Sequence, residues 1–190
     1  MVMGASVGAI DALAAILPEL RRDCPAPVLV VVHVSPDRRS ALPELFAARC
    51  AMEVKEAEDK EAIRGGTIYF APPDYHLLVE PDFSLSLSNE EPVLYSRPAI
   101  DVLFESAADA YGGDLAGVIL TGASRDGAEG LRAVCDAGGM GFVQEPATAE
   151  GRVMPLAALA ACPEARAMAP GEIAAALNAL TVEGGEVRRG

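Results

Sequence analysis

Short apolar runs alternate with amphipathic ones along this chain. Met1–Met3 is apolar and enters the turn Gly4-Ala5-Ser6-Val7-Gly8. After the turn, Leu13, Ile16, Leu17 and Leu20 recur at helical spacing and predict a helix from about Ile10 to Arg22. Val28–Val32 is an unbroken, Val-rich apolar run, the pattern of a strand buried on both faces, with His33 at its carboxyl end. Ser40–Ala48 reads as a helix and Met52–Lys55 as a short strand.

Between Gly65 and Pro92 the pattern changes. Thr67–Phe70, His76–Val79 and Phe83–Leu87 are short runs set apart by Pro-Asp turns, which predicts a small antiparallel excursion. Regular alternation then returns. Asp101–Tyr111 reads as a helix, Leu115–Leu120 as a second buried strand, and Ala128–Ala137 as a helix stopped by Gly138-Gly139. Met140–Val143 reads as a strand, and Pro155–Ala161 and Pro170–Leu180 as the last helices. Strand and helix in turn imply an α/β fold: a doubly wound, mostly parallel sheet with helices on both faces. Residues 1–180 form one domain in this reading, and Thr181–Gly190 is a polar, Gly-rich tail expected to fray.

Composition narrows the function classes. Of the 190 residues, 51% are hydrophobic, which suits a packed core, and the net charge of −13 argues against nucleic acid or an anionic membrane surface as partner. The basic doublets Arg21-Arg22, Arg38-Arg39 and Arg188-Arg189 are far apart. The N-terminus has no basic segment followed by a long apolar one, and no apolar run reaches membrane-spanning length, so the chain is expected to be cytoplasmic. Cys24, Cys50, Cys135 and Cys162 show no metal-binding spacing and are expected to be reduced, and no metal site is expected.

The chemistry sits at strand ends. Gly4-Ala5-Ser6-Val7-Gly8 fits G-x-S-x-G at a strand-to-helix turn, which exposes a serine hydroxyl beside free N–H groups. The bland alternative is that Ser6 caps the next helix. A nucleophilic serine needs a base, and the chain has only two histidines, His33 and His76. His33 follows a buried strand, where a structural histidine would also fit; His76 lies in the excursion. Asp126, on a Gly-flanked turn after another buried strand, could orient an imidazole, or simply cap the helix after it. The ordinary α/β-hydrolase order is Ser, then acid, then His. No histidine follows His76, so that fold is excluded, and the order Ser6, His33, Asp126 requires another scaffold.

That order, with its flanking sequence, resembles the catalytic domain of the CheB chemotaxis methylesterases from Met3 to about Leu180. The similar segments are Gly4-Ala5-Ser6 with Gly8, Val31-Val32-His33 with Pro36, Val54–Asp59, and Tyr69-Phe70-Ala71-Pro72 with Asp74 and His76. Further along they are Arg97-Pro98 with Asp101-Val102-Leu103-Phe104, Gly117–Gly122 with Asp126-Gly127-Ala128, and Val153-Met154-Pro155. The resemblance implies a serine hydrolase with the triad Ser6, His33 and Asp126, needing no cofactor. It would cleave γ-glutamyl methyl esters, or deamidate glutamine, on chemoreceptor signalling helices. Oxyanion and substrate contacts would fall to Val7, Gly8, Ala123 and Met154.

The chain departs from the family at Val7, where Thr is common, at Ala9, where Gly is usual, and at Ala123, where Met is usual. The similar region starts at the first catalytic strand, so no receiver domain is expected within it, and a separate response-regulator protein is a candidate partner. Arg38, Arg39 and Arg125 could offer a local basic rim to an acidic receptor. The competing readings are a serine esterase for another acyl substrate and a non-enzymatic interaction module. A phosphate-cradling role for Gly4–Gly8 is weakened by the missing G-x-G-x-x-G spacing and by His33 standing where a ribose-binding acid would be.

Overall fold

The computed structural model describes residues 1–33 and 41–187. Its chain order is β1 (Val2–Ala5), α1 (Ala9–Ala14), β2 (Val28–Val32), α2 (Leu42–Ala47), β3 (Glu53–Glu56), β4 (Thr67–Phe70), β5 (His76–Val79), β6 (Leu85–Ser88) and α3 (Ile100–Tyr111). There follow β7 (Ala116–Ile119), α4 (Ala128–Asp136), β8 (Met140–Gln144), α5 (Val153–Ala161), β9 (Arg166–Met168) and α6 (Pro170–Val187).

A seven-stranded sheet in the order β3-β4-β2-β1-β7-β8-β9 runs through the molecule, and every pairing in it is parallel. The chain builds one half of the sheet outward from β1 through β2, then returns to the other side of β1 with β7. The carboxyl ends of β1, β2 and β7 therefore border the topological switch point, the usual ligand crevice of an open parallel sheet.

Strand residues alternate between two cores. Met3, Val28, Val30, Val118 and Phe142 face one side, with Leu13, Leu17, Phe46, Ile173 and Leu177 from the helices. Val2, Leu29, Val31, Ile119 and Val143 face the other, with Ile100, Leu103, Phe104, Leu131 and Met154. A side-chain period of two with apolar residues on both faces is what the Val-rich runs require.

The structure departs from the sequence reading at several elements. The helix expected to reach Arg22 stops at Ala14 and is followed by a single tight turn over Leu17–Glu19. Pro18 has no N–H to continue the ladder. Thr67–Phe70 does not belong to the antiparallel excursion: as β4 it lies between β2 and β3 in the main sheet. Among the strands of the described residues, only β5 and β6 pair antiparallel. The edge strand β9 carries no apolar alternation and was not expected. The helix α6 continues to Val187, into the stretch read as a frayed tail. Cys135 and Cys162, expected to be reduced, form a disulfide, because folding brings the last turn of α4 against the end of α5. Cys24 and Cys50 are free.

Candidate active site

Ser6 is the first residue past β1, and its backbone is fixed on both sides: its N–H donates to Thr121 O at 2.9 Å, and its carbonyl accepts Ala9 N at 2.9 Å. Glycine is required on either side. A Cβ on Gly4 would run into Ile100 of α3. Gly8 has φ +78, and a Cβ there would lie 2.8 Å from Glu150 Cβ and 3.1 Å from Thr121 Cγ2. Ser6 does not cap α1; the N-cap position is Gly8, without a side-chain bond.

Thr121 joins the nucleophile turn to its surroundings. Its hydroxyl donates to Val7 O at 2.8 Å and accepts Gly151 N at 2.8 Å, while its own N–H is held by Gln144 Oε1 at 3.0 Å. The next residue, Gly122, donates to Gly151 O at 2.9 Å and accepts Met154 N at 3.0 Å. Thus the turn bearing Val7 and the turn bearing Ala123 are laced together. Val7 is 47% exposed, and Ala123 and Arg125 are also exposed. Met154 is not available to a substrate. It is 1% exposed and packed under Gly122, whose added Cβ would lie 2.7 Å from the Met154 sulfur. Its function is to support the Gly122-Ala123 turn. Arg38 and Arg39 lie outside the described residues.

His33 leaves β2 with its N–H bonded to Ala5 O at 3.1 Å, one residue before Ser6. Its Nε2 lies 2.7 Å from Asp126 Oδ2, and its Nδ1 lies 3.5 Å from Ser96 Oγ. The imidazole is 13% exposed, while the Asp126 side chain is fully buried. Ser6 and His33 line one open cleft of about 470 Å³, with Val32, Leu42, Glu150 and Gly8. Asp126 approaches the ring from beneath.

The buried Asp126 carboxylate is satisfied three times over. Oδ2 accepts Ile100 N at 2.7 Å as well as His33 Nε2, and Oδ1 accepts Asp101 N at 3.0 Å. Asp126 therefore sits on the N-terminus of α3, where free N–H groups and the helix dipole favour a negative charge. It does not cap its own helix α4, whose N-cap is Gly127.

His76 is structural. It is 2% exposed, its Nδ1 accepts Ala99 N at 3.1 Å, and its Nε2 lies 3.2 Å from Glu91 O. That pattern corresponds to a neutral ring with the proton on Nε2, and it ties the loop before α3 to β5. Arg97 clamps the same loop: Asp74 Oδ1 accepts its Nε at 3.0 Å and its Nη2 at 2.6 Å, and the carbonyls of Asn89 and Glu90 each accept Nη1 at 2.9 Å.

Asp101, Ser96, Thr121 and Glu150 contribute to the site although sequence reasoning gave them no role. Asp101 lies in a segment already noted as similar to the family, and an acid in the first turn of a helix was the available signal. Thr121 likewise lies in the similar segment Gly117–Gly122, and nothing local marks Ser96 or Glu150.

This is a doubly wound parallel α/β protein whose switch-point crevice holds a serine, and a histidine bonded to a buried aspartate. Comparison with known proteins makes the class specific. The CheB methylesterase family model matches residues 1–177, and the chain belongs to that family of protein-glutamate methylesterases. It is 45% identical over 161 residues to a putative protein-glutamate methylesterase/protein-glutamine glutaminase of Leptospira interrogans, covering 85% of this chain and 83% of that one. A protein-glutamate methylesterase/protein-glutamine glutaminase of Archaeoglobus fulgidus is 38% identical, and the match spans 84% of this chain but 46% of that protein. The crystal structure of the Thermotoga maritima CheB methylesterase catalytic domain superposes with a TM-score of 0.90 at 30% identity, covering 94% of this chain and 96% of that one. Among the described residues, no helix is long and apolar enough to cross a membrane.

Proposed function

We propose that the chain demethylates γ-glutamyl methyl esters on chemoreceptor signalling helices, with Ser6 as nucleophile, His33 as base and Asp126 as the group that orients His33. The observation that carries this reading is the 2.7 Å contact of His33 Nε2 with the buried Asp126 carboxylate, beside a cleft that His33 shares with Ser6. Membership of a methylesterase family supports the reaction class.

The Asp126 contact supports one assignment of the ring nitrogens. An anionic Asp126, already accepting two backbone N–H groups, holds the Nε2 proton of neutral His33. Nδ1 is then the basic nitrogen, and the nearby Ser96 hydroxyl donates weakly to it. As Ser6 Oγ attacks the ester carbonyl, its proton passes to Nδ1, and the resulting imidazolium is stabilised by Asp126. Collapse of the tetrahedral adduct breaks the carbonyl–OCH3 bond, and the departing methoxide takes the proton from Nδ1 to leave as methanol. A water molecule, deprotonated by the same nitrogen, cleaves the acyl-serine and releases the glutamyl carboxylate. Backbone N–H groups of the Val7 and Ala123 turns are the candidate oxyanion donors. With glutamine, the same cycle would release ammonia. Exposure of Arg125, the residue before Asp126, supports a role for it as the contact with an acidic receptor surface in this reading.

The test is methanol release from receptor signalling fragments carrying labelled methyl esters, with Ser6→Ala in parallel. Release that disappears in the variant is expected. Equal release from both proteins rejects Ser6 as nucleophile, and no release from either rejects the receptor ester as substrate.

A further inference from the structure

The mechanism leaves one buried acid at the site without a part. Asp101 lies in the first turn of α3 and is 6% exposed. Its Oδ1 accepts Gly127 N at 2.8 Å and Gly130 N at 2.7 Å, and its own N–H donates to Asp126 Oδ1 at 3.0 Å. The two acids are thus exchanged between two helices. Asp126, just ahead of α4, caps α3; Asp101, within α3, caps α4. Neither helix has a side-chain cap from its own N-cap residue, Ala99 or Gly127.

The helices touch too closely for any other arrangement of this turn. Gly127 has φ +96, and a Cβ there would lie 2.6 Å from Ile119 Cδ1 and 2.7 Å from Ile100 Cγ2. On Gly130 a Cβ would lie 2.6 Å from Phe104 Cβ and 3.0 Å from Asp101 Cα.

We propose that Asp101 is a positioning residue of the hydrolase: it holds the Asp126-Gly127 turn so that the Asp126 carboxylate meets His33 Nε2. The proposal rests on the triad reading above. The titratable groups facing Asp101 are Asp126 from the turn, Glu105 from its own helix and, through Asp126, His33; Glu129 of α4 faces Glu105. Among the described residues no Lys or Arg is ion-paired with it. Burial pushes its carboxyl up to about 6, with Asp126 adding to the rise and the Gly130 and Gly127 N–H groups opposing it.

A fluorophosphonate probe separates this proposal from the substrate question. Ser6 Oγ would form a bond to phosphorus, fluoride would leave, and the serine proton would pass to His33, without any receptor ester. Labelling of Ser6 is followed against pH for the wild type, Asp101→Ala and Asp101→Asn, with thermal melting alongside. Asp101→Ala is expected to label on the order of 10–100-fold more slowly at the plateau, the usual effect of losing an orienting partner. Asp101→Asn keeps an acceptor for both glycine N–H groups. It should restore most of the plateau rate, because both bonds to the Asp126-Gly127 turn and to α4 persist.

Folded Asp101→Ala that labels at the wild-type rate overturns the positioning role. Slow labelling by folded Asp101→Asn overturns it as well, and this variant decides if Asp101→Ala does not fold. A wild type whose Ser6 never labels overturns the triad reading and this proposal with it.

Discussion

His33 Nε2 and Asp126 Oδ2 are 2.7 Å apart, and the histidine is at the edge of an open cleft while the aspartate is fully buried. Burying a lone carboxylate would be costly, yet Asp126 also accepts the N–H groups of Ile100 and Asp101 at the start of α3. The start of α3 supplies that buried carboxylate with backbone donors, and among the described residues no lysine or arginine is ion-paired with it. Asp126 can therefore orient His33 and stabilise its protonated form.

Asp126→Asn should leave the fold standing but reverse the ring's preference, since an amide N–H facing Nε2 favours the proton on Nδ1. The turnover number for ester hydrolysis should fall on the order of 10³–10⁴-fold with little change in KM. Steady-state methanol release at several substrate concentrations checks the split. An unchanged turnover number would remove Asp126 from the mechanism.

Thr121→Val deletes the hydroxyl that accepts Gly151 N and donates to Val7 O while keeping the side chain's shape. Both partners lose a bond in a partly buried setting, so unfolding stability should drop by about 1–2 kcal/mol. Activity should fall as well, because the turns bearing Val7 and Ala123 are no longer tied. Urea denaturation and initial rates measured on the same preparation test both effects.

The Asp101 carboxyl rises from an ordinary value of 3.8 to about 6 on folding, chiefly through burial. The folded protein thus holds this proton more tightly than the unfolded chain. Its contribution to stability is greatest below the unfolded value, declines as pH rises from about 4 to about 6, and is constant above that. Asp101→Asn lacks this term. The melting temperature of the variant relative to wild type should therefore climb between pH 4 and 6 and level off by pH 7. A difference that falls across the same interval would contradict the assignment.

The Cys135–Cys162 disulfide closes a loop with a sequence separation of 27. By loop-closure entropy it should stabilise the fold by about 3 kcal/mol, and Cys135→Ser, or reduction of the wild type, should lower the melting temperature accordingly. The bridge joins the ends of α4 and α5, away from the cleft, so activity at low temperature should be unchanged. Melting with and without dithiothreitol reads the effect.

The sequence by itself determined the α/β class, the buried strands β2 and β7 and the helix α3, and it singled out Ser6, His33 and Asp126 as the candidate triad. These were legible because their signals are local. An unbroken Val run needs burial on both faces, a 3.6-residue apolar period needs a helix, and Ser6, His33 and Asp126 stand in Gly-marked or polar breaks just past such runs. The histidine count and the chain order then excluded the ordinary α/β-hydrolase arrangement.

Only the tertiary structure decided what depends on contacts distant in sequence. It placed β4 between β2 and β3, recruited the exposed edge strand β9, and brought Cys135 to Cys162. It turned His76 into a fully bonded anchor and buried Met154 beneath Gly122. It also crossed the caps of α3 and α4, so that Asp126 serves the helix before it and Asp101 the helix after it. A side-chain carboxylate that caps a helix usually lies next to that helix in the sequence. Here each cap reaches across 25 or more residues, because the tight packing of α3 on α4 brings the two helix starts within hydrogen-bonding distance.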